Sequence, residues 1–320
     1  MILEATMKKT LCLLLSILML LPTLYSCGDK ENPASDFYYE ENEDGGITIT
    51  SYRGTDPDII IPSKIEGAKV TVIGEWAFIE QTHIESVVIP NTVKTISLAA
   101  FYGCINLASV RLSDNLYSIE SQAFRECHKL SEINLPSSLT EIGEAAFQSC
   151  TSLKSIRIPA LKSIGTDVFR DSALETVEFD KELETIGNCM FFNTNLKNIT
   201  IPSGVKEIED SAFASCSELE KVTLNEGLSE ISIGAFAFCP MLNELTIPST
   251  VHTISEYAIA SCENFKVLKF SGNAPLEFLC KDAVTISLYS SGMSEFTIYY
   301  HEGAEGFTSP EWNGYPTKTW

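Results

Sequence analysis

Residues 122–127 read QAFREC, residues 145–150 AAFQSC, residues 211–216 SAFASC and residues 234–239 GAFAFC. A phrase written four times at almost the same spacing is either chemistry, with each Cys a ligand or a disulfide half, or architecture, with each phrase one turn of a coil. The aromatic decides between them. It recurs at Phe78, Phe101, Phe124, Phe147, Phe169, Phe191, Phe213 and Phe236, and Ile259 holds the same slot, with spacings of 23, 23, 23, 22, 22, 22, 23 and 23 residues. Nine units at one period are the signature of a solenoid.

Other columns keep the same register. Five residues before the aromatic stand Ile73, Ile96, Ile119, Ile142, Ile164, Ile186, Ile208, Ile231 and Ile254. After the phrase comes a Leu column running from Leu107 to Leu242, and then an alternating apolar pair such as Val87/Ile89, Val110/Leu112 or Ile156/Ile158. That alternation predicts a short strand with one buried face. Pro90, Pro136, Pro159, Pro202 and Pro248 close several of these strands, because proline cannot continue a ladder. Ala, Phe and Cys at three- to four-residue spacing predict one helical turn per unit. No unit can bury its inner face alone, so stacking must supply the core. Each buried Phe or Ile is worth roughly 2–3 kcal/mol.

The unit Leu-x-x-Val-x-Leu-x-x-x-Leu-x-x-Ile-x-x-x-Ala-Phe-x-x-Cys resembles the 23-residue leucine-rich repeats of BspA-like bacterial surface proteins over residues 73–270. The resemblance implies a leucine-rich-repeat solenoid: a right-handed coil of short parallel strands with short helical turns, about nine repeats long, capped at both ends. Residues 37–72, with Gly45-Gly46 and the runs Ile47-Thr48-Ile49 and Ile59-Ile60-Ile61-Pro62, are similar to that family's N-terminal β cap. Residues 271–320, ending in a Trp-containing tail, are similar to its C-terminal cap.

The first residues are a targeting segment. Lys8 and Lys9 precede the apolar run Leu11–Leu21, which is too short to span a bilayer comfortably, and Pro22 and small residues follow. Residues 1–26 therefore read as a signal peptide. Leu24-Tyr25-Ser26-Cys27 resembles the lipobox of bacterial lipoproteins, which implies a lipid on Cys27; the alternative is ordinary cleavage with Cys27 incidental. Residues 27–36 are polar and read as a flexible tether. The run Gly28-Asp29-Lys30-Glu31 loosely resembles the signals that send Bacteroides-type lipoproteins to the cell surface. The expected location is the outer membrane, reached by secretion across the inner membrane.

Composition narrows the partners. The formal net charge of −21 repels phosphate backbones and anionic lipid, so no nucleic acid is expected, and membrane contact only through the N-terminal lipid. Of ten cysteines, six share one repeat slot: Cys104, Cys127, Cys150, Cys216, Cys239 and Cys262. The same slot holds Gln81, Ser172 and Thr194, so it is no invariant ligand set, and no Cys-x₂₋₄-Cys pair suits zinc. Buried thiols serving as small apolar fillers are the preferred reading, with disulfides between neighbouring coils the alternative. His83, His128, His252 and His301 fall in different registers and read as surface residues. No phosphate-binding loop, nucleophile elbow or paired acid and base appears, so neither catalysis nor a cofactor or metal is expected.

The outward positions of the alternating strands form the candidate working surface: Arg111, Glu132, Asn134, Arg157, Glu178, Asn198, Lys221, Glu244 and Lys269, among small polar residues. With no aromatic row for sugars, this ribbon suits a protein or peptide ligand, such as a host or bacterial surface protein; a bare solvated sheet face is the alternative. The expected function is a non-enzymatic envelope lipoprotein displaying a protein-binding or adhesion surface. A structural or scaffolding component of an envelope complex is the second reading. The aromatic cluster Phe307, Trp312, Tyr315 and Trp320 is read as the cap's own small core, with a second contact site the alternative.

Overall fold

A repeat too small to bury its own apolar face acquires a core only when neighbouring copies close over it. In the computed structural model, which describes residues 30–180, 183–279 and 296–320, the copies do so by stacking as turns of one coil, about eleven in all. Each turn contributes two short strands. The alternating pairs form one row, including Ser86–Val88, Ser109–Arg111, Ser155–Ile158 and Glu244–Ile247. The Ile column forms the other, in two-residue strands such as Thr95–Ile96, Ser118–Ile119 and Glu141–Ile142. Pairing within both rows is parallel and one repeat apart: Val87 faces Val110, Ile156 faces Val177, and Ile96 faces Ile119. Register therefore places each sequence column directly over itself.

The Ala-Phe-x-x-Cys segment differs from its expected helical turn. Helical N–H groups all point to the residue four back. Here they alternate. The N–H groups of Gln122, Phe124 and Glu126 donate to Glu144, Ala146 and Gln148 of the next coil, at 2.8, 2.8 and 2.9 Å. Those of Ala123, Arg125 and Cys127 donate three residues back, to Glu120, Gln122 and Phe124. The segment is thus a run of consecutive turns and a third inter-coil ladder. Alternation requires left-handed backbone at two positions per turn, here Gln122 (φ 59°) and Glu126 (φ 61°), and the pattern repeats from Trp76/Glu80 to Tyr257/Ser261. Among the described residues the only helix is a single 3-10 turn, Ala34–Asp36.

The Phe column is the spine. Rings from Phe78 to Phe236 stack with centroids 4.7–5.7 Å apart and planes 2–13° from parallel. Tyr52 extends it one turn earlier. It lies 5.5 Å from Phe78, and its N–H donates to the Ala77 carbonyl, as each spine Phe does to the residue before the spine position of the next coil. The count of turns exceeds the nine anchors, eight Phe and Ile259, for this reason: the coil runs on through segments whose spine residue is no longer Phe. Between coils the backbones touch at the position after Ile. A Cβ on Gly143 would lie 2.3 Å from the Ser121 nitrogen, and one on Gly165 2.4 Å from that of Glu144. Pro90, Pro136, Pro202 and Pro248 each open a four-residue β-turn, their carbonyls accepting the N–H of Val93, Leu139, Val205 and Val251.

At the N-terminal end Phe37–Glu41 pairs antiparallel with Ile47–Tyr52, which runs parallel to Ala68–Ile73. At the other end Thr297–Tyr300 and then Tyr315–Thr319 continue the first row in parallel, and Glu311–Trp312 folds back antiparallel. Trp312 packs on Phe278 and Phe307, each 4.9 Å away, and Tyr315 meets Phe296 edge-on at 5.1 Å. Trp320 departs from the expected cluster: it stacks on His301 at 4.4 Å and stays half exposed.

Candidate protein-binding surface

Parallel register turns the outward strand positions into columns. Arg111, Glu132, Asn134, Arg157, Glu178, Asn198, Lys221 and Glu244 are all exposed, and Lys269 is half-buried. Asn198 faces Lys221 directly, and Arg157 faces Glu178. The hydrogen-bonded ladder beneath them is divided into four pieces, with breaks after Ile133, Phe179 and Thr223.

Charges on this face pair between coils. Arg157 reaches Asp180 at 2.9 Å rather than the facing Glu178. Lys269 binds Glu244 at 2.9 Å, and Lys154 binds Glu175 at 3.0 Å. These pairs are solvent-exposed, so each contributes at most about 1 kcal/mol and holds side chains in place more than it holds the fold. Asp180, Lys154 and Glu175 were absent from the sequence-based set because they sit just outside the alternating pair. A one-period offset, Arg157 to Asp180 at 23 residues, was the signal available. A shallow groove of about 420 Å³ crosses two coils at this edge, lined by Met241, Asn243, Glu244, Asn264, Lys266 and Val267.

The cysteine column lies inside, away from this surface. All six are buried free thiols, and each Sγ donates to the backbone carbonyl of the spine residue one coil earlier. Cys104 reaches Phe78 at 3.0 Å, Cys127 Phe101 at 3.2 Å, and Cys216 Phe191 at 3.2 Å. The slot therefore selects a small buried donor, not merely a filler. Gln81 does the same work with its amide, donating to the Tyr52 carbonyl at 3.3 Å. Burial pushes the thiols of Cys104 and Cys150 up to about 12 and that of Cys127 well above the usual range. Thiolate chemistry is thereby suppressed. Glu120 is likewise shifted up by burial, against the opposing hydrogen bond from the Leu98 N–H. His83, His128, His252 and His301 are exposed. Cys27 and the targeting segment lie outside the described residues.

A stack of parallel strand-and-turn coils around Leu, Ile and Phe columns, with an exposed strand face, defines a leucine-rich-repeat solenoid. A model of the BspA type leucine rich repeat region matches residues 71–195 and 159–266, more than half of the chain. The chain belongs to that family. Its structure is similar to that of the T. pallidum leucine rich repeat protein TpLRR, at 27% identity and a TM-score of 0.53, covering 83% of this chain and 97% of that one. It is also similar to a leucine rich cell surface protein of Faecalibacterium prausnitzii, at 21% identity and a TM-score of 0.51, covering 91% and 98%. None of the curated proteins matches it.

Proposed function

We propose that this chain is a non-enzymatic envelope lipoprotein, anchored through Cys27 at the outer membrane, whose strand face binds a protein ligand or mediates adhesion. Leucine-rich repeats generally bind proteins, and membership of the BspA type family supports that class of activity. The observation that carries the reading is the ribbon itself. Exposed Arg157, Glu178, Asn198, Lys221 and Glu244 are held at fixed spacing on a stack whose rigidity comes from a continuous core. Such preorganised side chains lose little entropy on docking.

A pull-down with extracellular-matrix and mucosal proteins tests it, using Arg157→Glu with Lys221→Glu as the matched control. Capture by the wild type and loss in the double variant are expected. No partner above background, or equal capture by both, overturns the strand-face assignment. Protease shaving of intact cells tests the location: loss of the repeat array from intact cells given protease is expected, and full protection places it inside the outer membrane. Labelling with a palmitate analogue that disappears in Cys27→Ala tests the anchor.

A further inference from the structure

The left-handed columns of the turn segment hold small or polar residues in almost every coil, as at Gln122, Glu126, Ala145, Ser149, Ser211 and Ser215. Trp76 departs at the N-terminal end, at φ 59° and 44% exposed, and two adjacent coils near the C-terminal end depart together. Phe238 and Tyr257 both sit at φ 58°, a conformation sterically unfavourable for bulky side chains. Burial does not compensate: Phe238 is 59% and Tyr257 44% exposed. Ile233 and Met241 on the first of these coils are also large, apolar and exposed. The Gly234 N–H donates to the Glu256 carbonyl at 3.2 Å, which sets Tyr257 beside Ile233–Gly234 one coil away; the Phe238 N–H donates to the Ala260 carbonyl at 2.8 Å. Ile233, Phe238 and Tyr257 thus occupy adjacent coils on the turn side, whereas Met241 lies past Pro240 in the groove at the strand edge. On intervening coils that side carries polar contacts, as where Arg170 binds Asp167 at 3.0 Å and covers Phe192.

The charge around Ile233, Phe238 and Tyr257 is predominantly negative, with Lys206 and Lys266 flanking the stretch on either side. Residues 207–265 contain ten Asp and Glu against a single Lys or Arg, Lys221, which lies on the strand face. Glu218, Glu256 and Glu263 are exposed, and Asp210 accepts the Ile233 N–H at 3.0 Å. Exposed aromatics within a negative field attract a ligand that is apolar and positive at once. A second copy of this chain would bring the same negative charge and be repelled. We propose that Ile233, Phe238 and Tyr257 form a docking site for a cationic amphipathic polypeptide segment, separate from the strand face.

The test is fluorescence polarisation with a labelled Leu/Lys amphipathic peptide, against a Ser/Lys peptide of equal charge. The decisive variant is Phe238→Ser with Tyr257→Ser. Ser already occupies those columns at Ser211, Ser215 and Ser261 with positive φ, so the array stays folded and its melting temperature does not fall. Binding of the Leu/Lys peptide is expected to weaken by at least about tenfold in this variant, a central aromatic pair being the usual anchor. Arg157→Ala with Lys221→Ala is expected to leave it unchanged, so this site and the strand face fail independently. Equal binding by the Phe238/Tyr257 variant and the wild type overturns the proposal. So does equal affinity for the Ser/Lys peptide, which reduces the effect to charge. A wild-type dimer in sedimentation that the variant dissolves gives the patch to a second copy and also overturns it.

Discussion

The Sγ of Cys127 donates to the backbone carbonyl of Phe101, 3.2 Å away in the preceding coil. The bond joins the Cys column to the Phe spine of the repeat. It explains why the slot accepts both Cys and Gln, each a donor to the preceding coil. Where the repeat shortens to 22 residues the arrangement changes: Thr194 donates to the carbonyl of Phe191 in its own coil at 3.0 Å, and the buried hydroxyl of Ser172 has no partner.

Restoring the donor at that position should stabilise the protein. Ser172→Cys is expected to raise stability by about 1 kcal/mol, the usual net worth of a hydrogen bond plus relief of an orphaned hydroxyl. Cys127→Ser is expected to lower it at least as much as Cys127→Ala, because a shorter hydroxyl in this slot is left unbonded. Urea midpoints at constant slope decide both.

The thiols should make the protein labile to alkali. Burial raises the folded-state values of Cys104 and Cys150 from 9.0 to about 12. Below pH 9 folded and unfolded chains both keep these protons, and stability is insensitive to pH. Between about pH 9 and 12 only the unfolded chain ionises, so stability falls with pH, by up to about 1.4 kcal/mol per pH unit for each thiol. Melting temperatures across that window check the slope, which Cys150→Ala should reduce. At pH 8 the six column thiols are expected to react with Ellman's reagent only after unfolding.

Core and strand face should respond oppositely. Phe147 is fully buried between Phe124 and Phe169, at 5.4 and 5.5 Å. Phe147→Ala is expected to cost about 3–5 kcal/mol, and Phe147→Asp to abolish folding by burying a charge. Arg157→Ala removes one exposed ion pair and should cost under about 1 kcal/mol. Thermal melts that reversed this order would invert the inside and outside of the coil.

Backbone contact between coils gives a sharper contrast. Gly143→Ala places a methyl 2.3 Å from the Ser121 nitrogen, and neighbouring backbone cannot yield as a side chain can. A loss of at least about 1–3 kcal/mol is expected. Gln122→Gly, at φ 59°, relieves a left-handed residue and should be neutral or stabilising. Calorimetry of the two single variants separates them.

Much of this was legible in the chain because the period is. Ile96, Phe101 and Leu107 recur in step over so many copies that only stacking accounts for them, and the alternating Val110/Leu112 already divided the strand into inner and outer positions. The turn was not legible. Ala123, Phe124 and Cys127 are spaced as on a helix, and consecutive turns bury the same positions. What separates the two is where each N–H points, and that depends on a neighbouring coil being there to receive it. The ion pairs were hidden for a related reason: Arg157 faces Glu178 by register, yet side-chain reach carries it to Asp180.

Sequence alone determined that this protein is a coil of repeats with a Phe and Ile interior, since a fixed apolar period admits no other burial. Tertiary structure decided how the coils hold one another. Hydrogen bonds between turns are formed by groups about 23 residues apart, and their partners exist only once the stack has closed.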